Sequence, residues 1–178
     1  MDDKIYNNSI RRSSRKTHTD IMEQNKETLE ESINTECDYK LNLKVVHTKD
    51  KGRGVICTTN FYKNQFVCEY DGKLISHERA IHLEKKYSMD NSKGSFMFFF
   101  KYLNKQLCVD STEETKRYGR LINHSKKNPN CKIKVVVFKN IPRLIIQAKT
   151  DILAGTELLY DYGDRSPKSL KMNPWLNY

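Results

Sequence analysis

From Leu41 onward the apolar residues come in short runs broken by Gly, Asn and Pro, a pattern that builds strands and excludes a bundle of long helices. Leu41, Leu43 and Val45 alternate with polar residues and open the first strand. Further strands are expected over Phe66–Tyr70, Lys73–Ile75, Phe96–Phe100, Gln106–Asp110, Lys132–Phe138, Arg143–Ala148 and Leu158–Tyr160. Asp71-Gly72 reads as the tight turn of a hairpin between the first two of these, and Ala154-Gly155-Thr156 as another turn. The aromatic run Phe96–Phe100 is expected to be largely buried, and Thr112–Tyr118 to be a polar turn or short helix. One helix is expected, capped by Ser76 and running to about Tyr87, with Ala80, Ile81, Leu83 and Tyr87 on its inner face. The fold class is therefore mostly β with short helices, in one domain over residues 41–178.

Residues 1–40 differ in kind. They are rich in Asn, Ser, Thr and both charges, and a disordered polar tail is expected there, with a nascent helix around Asp20–Ile33. Of the charged residues, 7 basic and 9 acidic lie in 1–40, leaving 25 basic and 13 acidic in the domain. The domain thus carries the whole positive balance, and an acidic partner, nucleic acid or a nucleoprotein surface, is expected by charge. Arg11–Lys16 is a short basic run suited to nuclear import or to phosphate. The 5 cysteines are odd in number and scattered, which argues for reduced packing thiols and against a disulfide framework or a zinc module. With no membrane-length apolar run and no signal-peptide core, an intracellular monomer without membrane association is expected.

Two stretches carry chemistry. Arg120-Leu121-Ile122-Asn123-His124-Ser125 sets an amide and an imidazole beside apolar residues, where they can hold a polar ligand or satisfy backbone groups. Some forty residues later Tyr160-Asp161-Tyr162 sends two phenols the same way along an extended chain. Such a wall suits an amine kept from bulk water, although Tyr-x-Tyr at a strand end is more often packing. Lys51-Gly52-Arg53-Gly54 is a bare-backbone loop with two cations, which by itself is an ordinary turn.

In this order, together with Glu69-Tyr70 and the terminal Pro174-Trp175-Leu176, these stretches resemble the SET-domain lysine methyltransferases from about residue 41 to the C-terminus. The wording around Asn123 and Tyr160 is most similar to the branch that monomethylates lysine twenty of histone H-four. The resemblance implies small sheets of the β-clip type with a pseudoknot, S-adenosylmethionine as methyl donor and no metal. It implies Tyr70, Tyr160 and Tyr162 as the catalytic channel. Lys51, Gly52, Arg53, Phe96, Asn123, His124 and Trp175 are implied as cofactor contacts, with Phe96 standing where relatives usually place a tyrosine. Many relatives close the cofactor site with a cysteine-rich zinc module; no cysteine follows Cys131 here, and the aromatic C-terminal segment around Trp175 is implied in its place. A tyrosine at position 160 implies one methyl per lysine.

The implied setting is nuclear and chromosome-associated, with the histone tail presented in nucleosomes. Two other readings stand beside it: a non-catalytic SET-like module that binds chromatin or nucleic acid, and a methyltransferase for a non-histone lysine.

Overall fold

The computed structural model describes residues 18–35, 38, 41–48, 51–90, 93–94, 96–164, 170–171 and 174–177. Among the described residues the elements run in the order α1 (His18–Thr35), β1 (Leu43–Thr48), β2 (Gly52–Cys57), β3 (Phe66–Glu69), β4 (Lys73–Ser76), α2 (His77–Tyr87), β5 (Met97–Tyr102), β6 (Lys105–Asp110), β7 (Asn123–His124), β8 (Cys131–Phe138), β9 (Ile141–Ala148) and β10 (Leu159–Tyr160). They form three small sheets: β1-β2, β4-β6-β5, and β3-β9-β8-β10-β7. Short 3-10 turns stand at Gly119–Leu121 and Pro174–Asn177.

Local chemistry explains the hairpins. Both residues of the Leu103-Asn104 and Lys139-Asn140 turns have positive φ, the two-residue geometry that matches strand twist. Those tight turns join β5 to β6 and β8 to β9 in full antiparallel register. Ser76 caps α2 by accepting from the Arg79 N–H, as the sequence indicates. Ile81, placed by periodicity on the inner face, is 47% exposed; Ala80 is the residue α2 buries.

Asp71-Gly72 is not a hairpin turn. β3 pairs with β9 and β4 with β6, so the dipeptide hands the chain from one sheet to another. Gly72 has no positive φ; a Cβ there would lie 2.4 Å from the Asp110 carbonyl oxygen. Close backbone approach, and not turn geometry, is what requires glycine here. The aromatic run also differs: its strand begins at Met97, and of its phenylalanines only Phe100 is buried.

Within the segment expected as a polar tail, α1 forms a full helix against β3. The face it turns inward carries Gln24, Asn25, Thr28 and Ser32 beside Ile21 and Leu29. Asn25 accepts from the Phe66 N–H and donates to the Asn64 carbonyl, and buried Ser32 accepts from Arg117. A helix docked through side-chain hydrogen bonds leaves little apolar periodicity, which is why composition reads as a tail. Arg11–Lys16 and Cys37 lie outside the described residues; Cys57, Cys68, Cys108 and Cys131 are free and buried. Among the described residues no helix is long and apolar enough to cross a membrane.

The topology carries one unusual feature. β10 lies parallel between β7 and β8, with Tyr160 opposite both His124 and Cys131. Since β7 and β8 are joined by residues 125–130, β10 passes through that loop. The loop grips it: Ser125 N–H donates to the Tyr160 carbonyl, Asn130 N–H to the Leu159 carbonyl, and the Asn130 amide bonds both the Glu157 carbonyl and the Leu159 N–H. Threading is rare in folds and costs loop order, and these bonds keep the threaded segment satisfied where it has no long ladder of its own.

Candidate active site

The threaded strand brings the two chemistry-bearing stretches into contact. Tyr160 and Tyr162 have ring centroids 4.7 Å apart, and the Tyr162 ring sits 5.0 Å from the His124 ring. From the end of β3, Tyr70 joins them and packs against Phe98 at 5.8 Å. Burial raises the pKa of all three phenols above the ordinary tyrosine range; Tyr162 adds to the shift of Tyr70 and Tyr160, and Tyr70 to that of Tyr160. The three are therefore neutral hydrogen-bonding groups at physiological pH. Their hydroxyls differ: Tyr70 donates to the Phe96 carbonyl at 3.0 Å and Tyr162 to the Ile122 carbonyl at 2.8 Å, whereas no described protein group bonds that of Tyr160. One phenol in the wall stays available.

His124 joins this wall to the C-terminus. Its Nδ1 accepts from the Tyr162 N–H at 3.1 Å, so Nε2 carries the proton and donates to the Leu176 carbonyl, also at 3.1 Å. The ring thereby fixes both the strand that carries the tyrosines and the Pro174–Asn177 turn. Of Trp175 only the main chain is described, within that turn. Asn123, alongside, donates from Nδ2 to the Arg53 carbonyl at 3.2 Å and to Glu157 Oε1 at 3.0 Å, tying β2 to the same place. A Cβ at Gly54 would come within 2.9 Å of that amide, so this glycine makes room for Asn123.

Lys51-Gly52-Arg53-Gly54 is not a loop: from Gly52 it is the start of β2, paired with the end of β1, and its two cations are engaged. Lys51 pairs with Glu157 at 3.4 Å, and Arg53 forks onto the exposed Glu114 carboxylate. Glu114 also draws buried Arg120 to 3.6 Å, and the Arg120 guanidinium stacks on the Phe96 ring at 3.8 Å. Lacking a hydroxyl, Phe96 contributes its carbonyl to Tyr70 and its face to Arg120. Arg120 Nε and Nη1 are buried donors without a hydrogen-bond acceptor. Cationic side chains, bare backbone at Gly52 and the aromatic face of Phe96 suit an anionic, heterocyclic ligand.

Behind the tyrosines lies a buried ionic network that motif reading did not find. Arg117, 4% exposed, donates to Ser32 at 2.9 Å and to Asp38 at 3.0 Å, and lies 3.6 Å from Glu69, the residue before Tyr70. Glu69 in turn accepts from Arg143 at 2.7 Å, and Asp38 also accepts from the Tyr118 N–H. Burial raises the pKa of Asp38 and Glu69, against the lowering effect of these partners. Gly119 packs so tightly here that a Cβ would fall 2.3 Å from the Glu69 carbonyl oxygen. Nothing in the sequence flags these partners, because they are separated by tens of residues and each has an ordinary surface-type side chain.

Among the described residues no group of three or more His, Cys, Asp or Glu gathers where it could hold a metal ion. Burial pushes the Cys108 and Cys131 thiols up to about 12, and they act as packing groups.

A family model described as SET domain matches residues 52–163, the span that holds the threaded strand, the Asn-His turn and the tyrosine wall. The chain belongs to the SET-domain family. This SET chain is similar to the N-lysine methyltransferase KMT5A of Xenopus tropicalis, at 45% identity over 167 residues that make up 94% of this chain and 49% of that protein. It is 46% identical over 170 residues to the histone-lysine N-methyltransferase Set8 of Drosophila melanogaster, covering 95% of this chain and 24% of that protein. Against the histone-lysine N-methyltransferase set-1 of Caenorhabditis elegans it is 43% identical over 167 residues, 94% of this chain and 69% of that protein. The crystal structure of CpSET8 from Cryptosporidium superposes with a TM-score of 0.65 at 45% identity, covering 70% of this chain and 59% of that one. The SET chain spans about half the length of the first of these relatives.

Proposed function

We propose that this protein transfers a methyl group from S-adenosylmethionine to the side-chain amine of a histone lysine, and that its target is lysine twenty of the histone H-four tail within nucleosomes, taking one methyl. The observation that carries this reading is the buried cluster of Tyr70, Tyr160 and Tyr162, neutral and held against the Asn123-His124 turn by a threaded strand. The names of the relatives, lysine methyltransferases and histone-lysine methyltransferases, support the substrate class.

The physical obstacle is the charge on lysine. Presenting a neutral amine at pH 7 costs about 4.6 kcal/mol for a group of pKa about 10.4. A dry aromatic channel lowers that cost by disfavouring the ammonium form. The available Tyr160 hydroxyl and nearby carbonyls orient the nitrogen lone pair, while tied Tyr70 and Tyr162 shape the wall. Positioning of this kind is a large part of the acceleration available to a displacement. When bound, S-adenosylmethionine supplies an electrophilic methyl on a sulfonium. Lys51, Arg53 and the Gly52 backbone would hold its carboxylate end; Asn123 and His124 its core, Phe96 and Trp175 its flanks. Buried donors on Arg120 and the open Gly52 backbone fit such a group.

The positive domain suits a nucleosome, since DNA attracts it and a free basic tail does not. A nuclear, chromosome-associated protein acting as a monomer follows from this reading. Incubation with S-adenosylmethionine and recombinant nucleosomes, read by intact and tandem mass spectrometry, is expected to show one methyl on the H-four tail. A methylated lysine on a non-histone protein alone would move the substrate; absence of both methyl transfer and calorimetric cofactor binding would make the fold a binding module.

A further inference from the structure

Tyr70 stands between two acids, and one buried guanidinium reaches both. Arg117 Nη2 lies 3.6 Å from Glu69 Oε2, and Arg117 Nε lies 3.9 Å from Asp71 Oδ2. The two carboxylates turn to Arg117, while the phenol between them packs on Phe98 and donates to the Phe96 carbonyl. The main chain of the same three residues is pinned as well. Tyr70 N–H donates to the Leu144 carbonyl at 2.9 Å, and Ser111 Oγ donates to the Asp71 carbonyl at 2.6 Å. Gly119, two residues after Arg117, packs so closely that a Cβ there would come 3.0 Å from the Tyr70 Cα. At its other end the guanidinium is anchored, since Nη1 donates to Ser32 of α1 and to Asp38.

Stability is a poor explanation of this arrangement. Buried ion pairs are often replaceable by apolar side chains of similar volume without loss. Here Arg117 Nε and Glu69 Oε2 are buried without a hydrogen-bond partner, and contacts of 3.6 and 3.9 Å are too long to satisfy them. Nor does Glu69 depend on Arg117 for a hydrogen bond, because Arg143 supplies one at 2.7 Å. What Arg117 adds is a bridge between both neighbours of Tyr70.

We propose that Arg117 is a positioning residue for methyl transfer: by bridging Glu69 and Asp71 it fixes the chain at Tyr70 and so holds that phenol in the wall around the acceptor amine. Misplacing a group in such a wall by about 1 Å is enough to cost on the order of a hundredfold in rate. The kinetic consequence rests on the methyltransferase reading; the placement of the phenol does not. Through Ser32 and Asp38 the N-terminal helix and the segment after it belong to the same support.

The test uses the whole chain, isotope-labelled at tyrosine Cζ and read by NMR, and the double variant Arg117→Met/Asp38→Leu, which removes the bridge and a buried acid together. Its urea midpoint is expected near that of the wild type and its calorimetric affinity for S-adenosylmethionine within about twofold, while kcat on nucleosomes falls at least about tenfold and KM changes less than about threefold. Without cofactor, the resonance assigned to Tyr70 by its loss in Tyr70→Phe is expected to move, and those of Tyr160 and Tyr162 to stay. Arg117→Lys keeps the charge but cannot span two carboxylates; it is expected to fold and to show the same changes in smaller degree, and it carries the test if the double variant does not fold. A folded variant with wild-type kcat and an unmoved Tyr70 resonance overturns the proposal. So does a loss of kcat matched by a loss of cofactor affinity, or one that adds in full to the loss in Tyr70→Phe, since Arg117 would then act elsewhere. A wild-type chain that transfers no methyl group counts against the reaction alone, and the Tyr70 resonance still decides whether Arg117 places the phenol.

Discussion

Tyr160 and Tyr162 are two residues apart and 4.7 Å ring to ring, yet removing their hydroxyls is expected to do opposite things. The Tyr162 hydroxyl donates at 2.8 Å to the carbonyl of Ile122, a residue with 0% exposure. Tyr162→Phe leaves that carbonyl buried and unpaired, a loss of about 1–3 kcal/mol. No described protein group bonds the Tyr160 hydroxyl, so Tyr160→Phe is expected to change stability by less than about 1 kcal/mol. On the proposed reading, what it removes is an anchor for a water molecule beside the acceptor nitrogen. A hydrogen bond of that kind is worth about 0.5–1.5 kcal/mol, or roughly two- to tenfold in an equilibrium. The ratio of dimethyl to monomethyl lysine is therefore expected to rise by that factor in Tyr160→Phe. Urea unfolding followed by circular dichroism reads the stabilities, and tandem mass spectrometry of nucleosomal product reads the methyl number. The reasoning fails if Tyr160→Phe destabilises more than Tyr162→Phe, or if its product remains monomethyl only.

Other perturbations follow from the same geometry. Asn123→Ala removes the ties to Arg53 and Glu157, and His124→Ala those to Tyr162 and Leu176; each is expected to weaken S-adenosylmethionine binding more than tenfold by calorimetry, and unchanged affinity would make the turn a structural device only. Arg117→Ala removes the cation beside buried Asp38 and Glu69 and is expected to cost about 3–5 kcal/mol in urea unfolding, whereas Arg117→Met with Asp38→Leu recovers much of it; a single variant losing under about 1 kcal/mol contradicts the network. The three phenols have folded-state pKa values raised above the unfolded value of about 10, so their contribution to stability is complete below that pH and is lost as pH rises beyond it. Thermal midpoints should consequently show no tyrosine-linked decline until pH passes about 10; tyrosinate absorbance from these residues in the folded protein near their ordinary pKa would contradict the burial argument.

What the sequence made legible was whatever is encoded locally. Alternation gave most strands to within a residue or two, Ser76 marked the start of α2, and the order of short motifs carried the family and the three tyrosines. Errors arose where a residue answers to something distant. Asp71-Gly72 has the composition of a hairpin turn, but its glycine exists for the Asp110 backbone. The inward face of α1 bonds through Asn25 and Ser32, polar groups indistinguishable in composition from those of a solvated tail. Lys51 and Arg53 were legible as cations but not as partners of Glu157 and Glu114, because no local rule links residues that far apart.

His124 gives the physical reason why the site is hard to read piecemeal. One imidazole holds Tyr162 through Nδ1 and the C-terminal turn through Nε2, so the acceptor wall and the flank expected for the cofactor share one support. Because Tyr160 and Tyr162 sit on and just after a strand threaded through the 125–130 loop, neither half is complete before the chain has passed β7 and β8. Hairpins such as β8-β9 need only local closure, but this insertion joins segments separated by 27 residues or more, and long-range pairing forms late. The site is therefore expected to be among the last parts of the fold to order, with the Leu176 carbonyl as its final polar contact. Truncating the chain before Pro174 is then expected to leave the β8-β9 ladder protected in hydrogen exchange while the amide of Tyr162 loses protection. A truncated chain that keeps Tyr162 protected would show that the threaded strand holds the site without its C-terminal support.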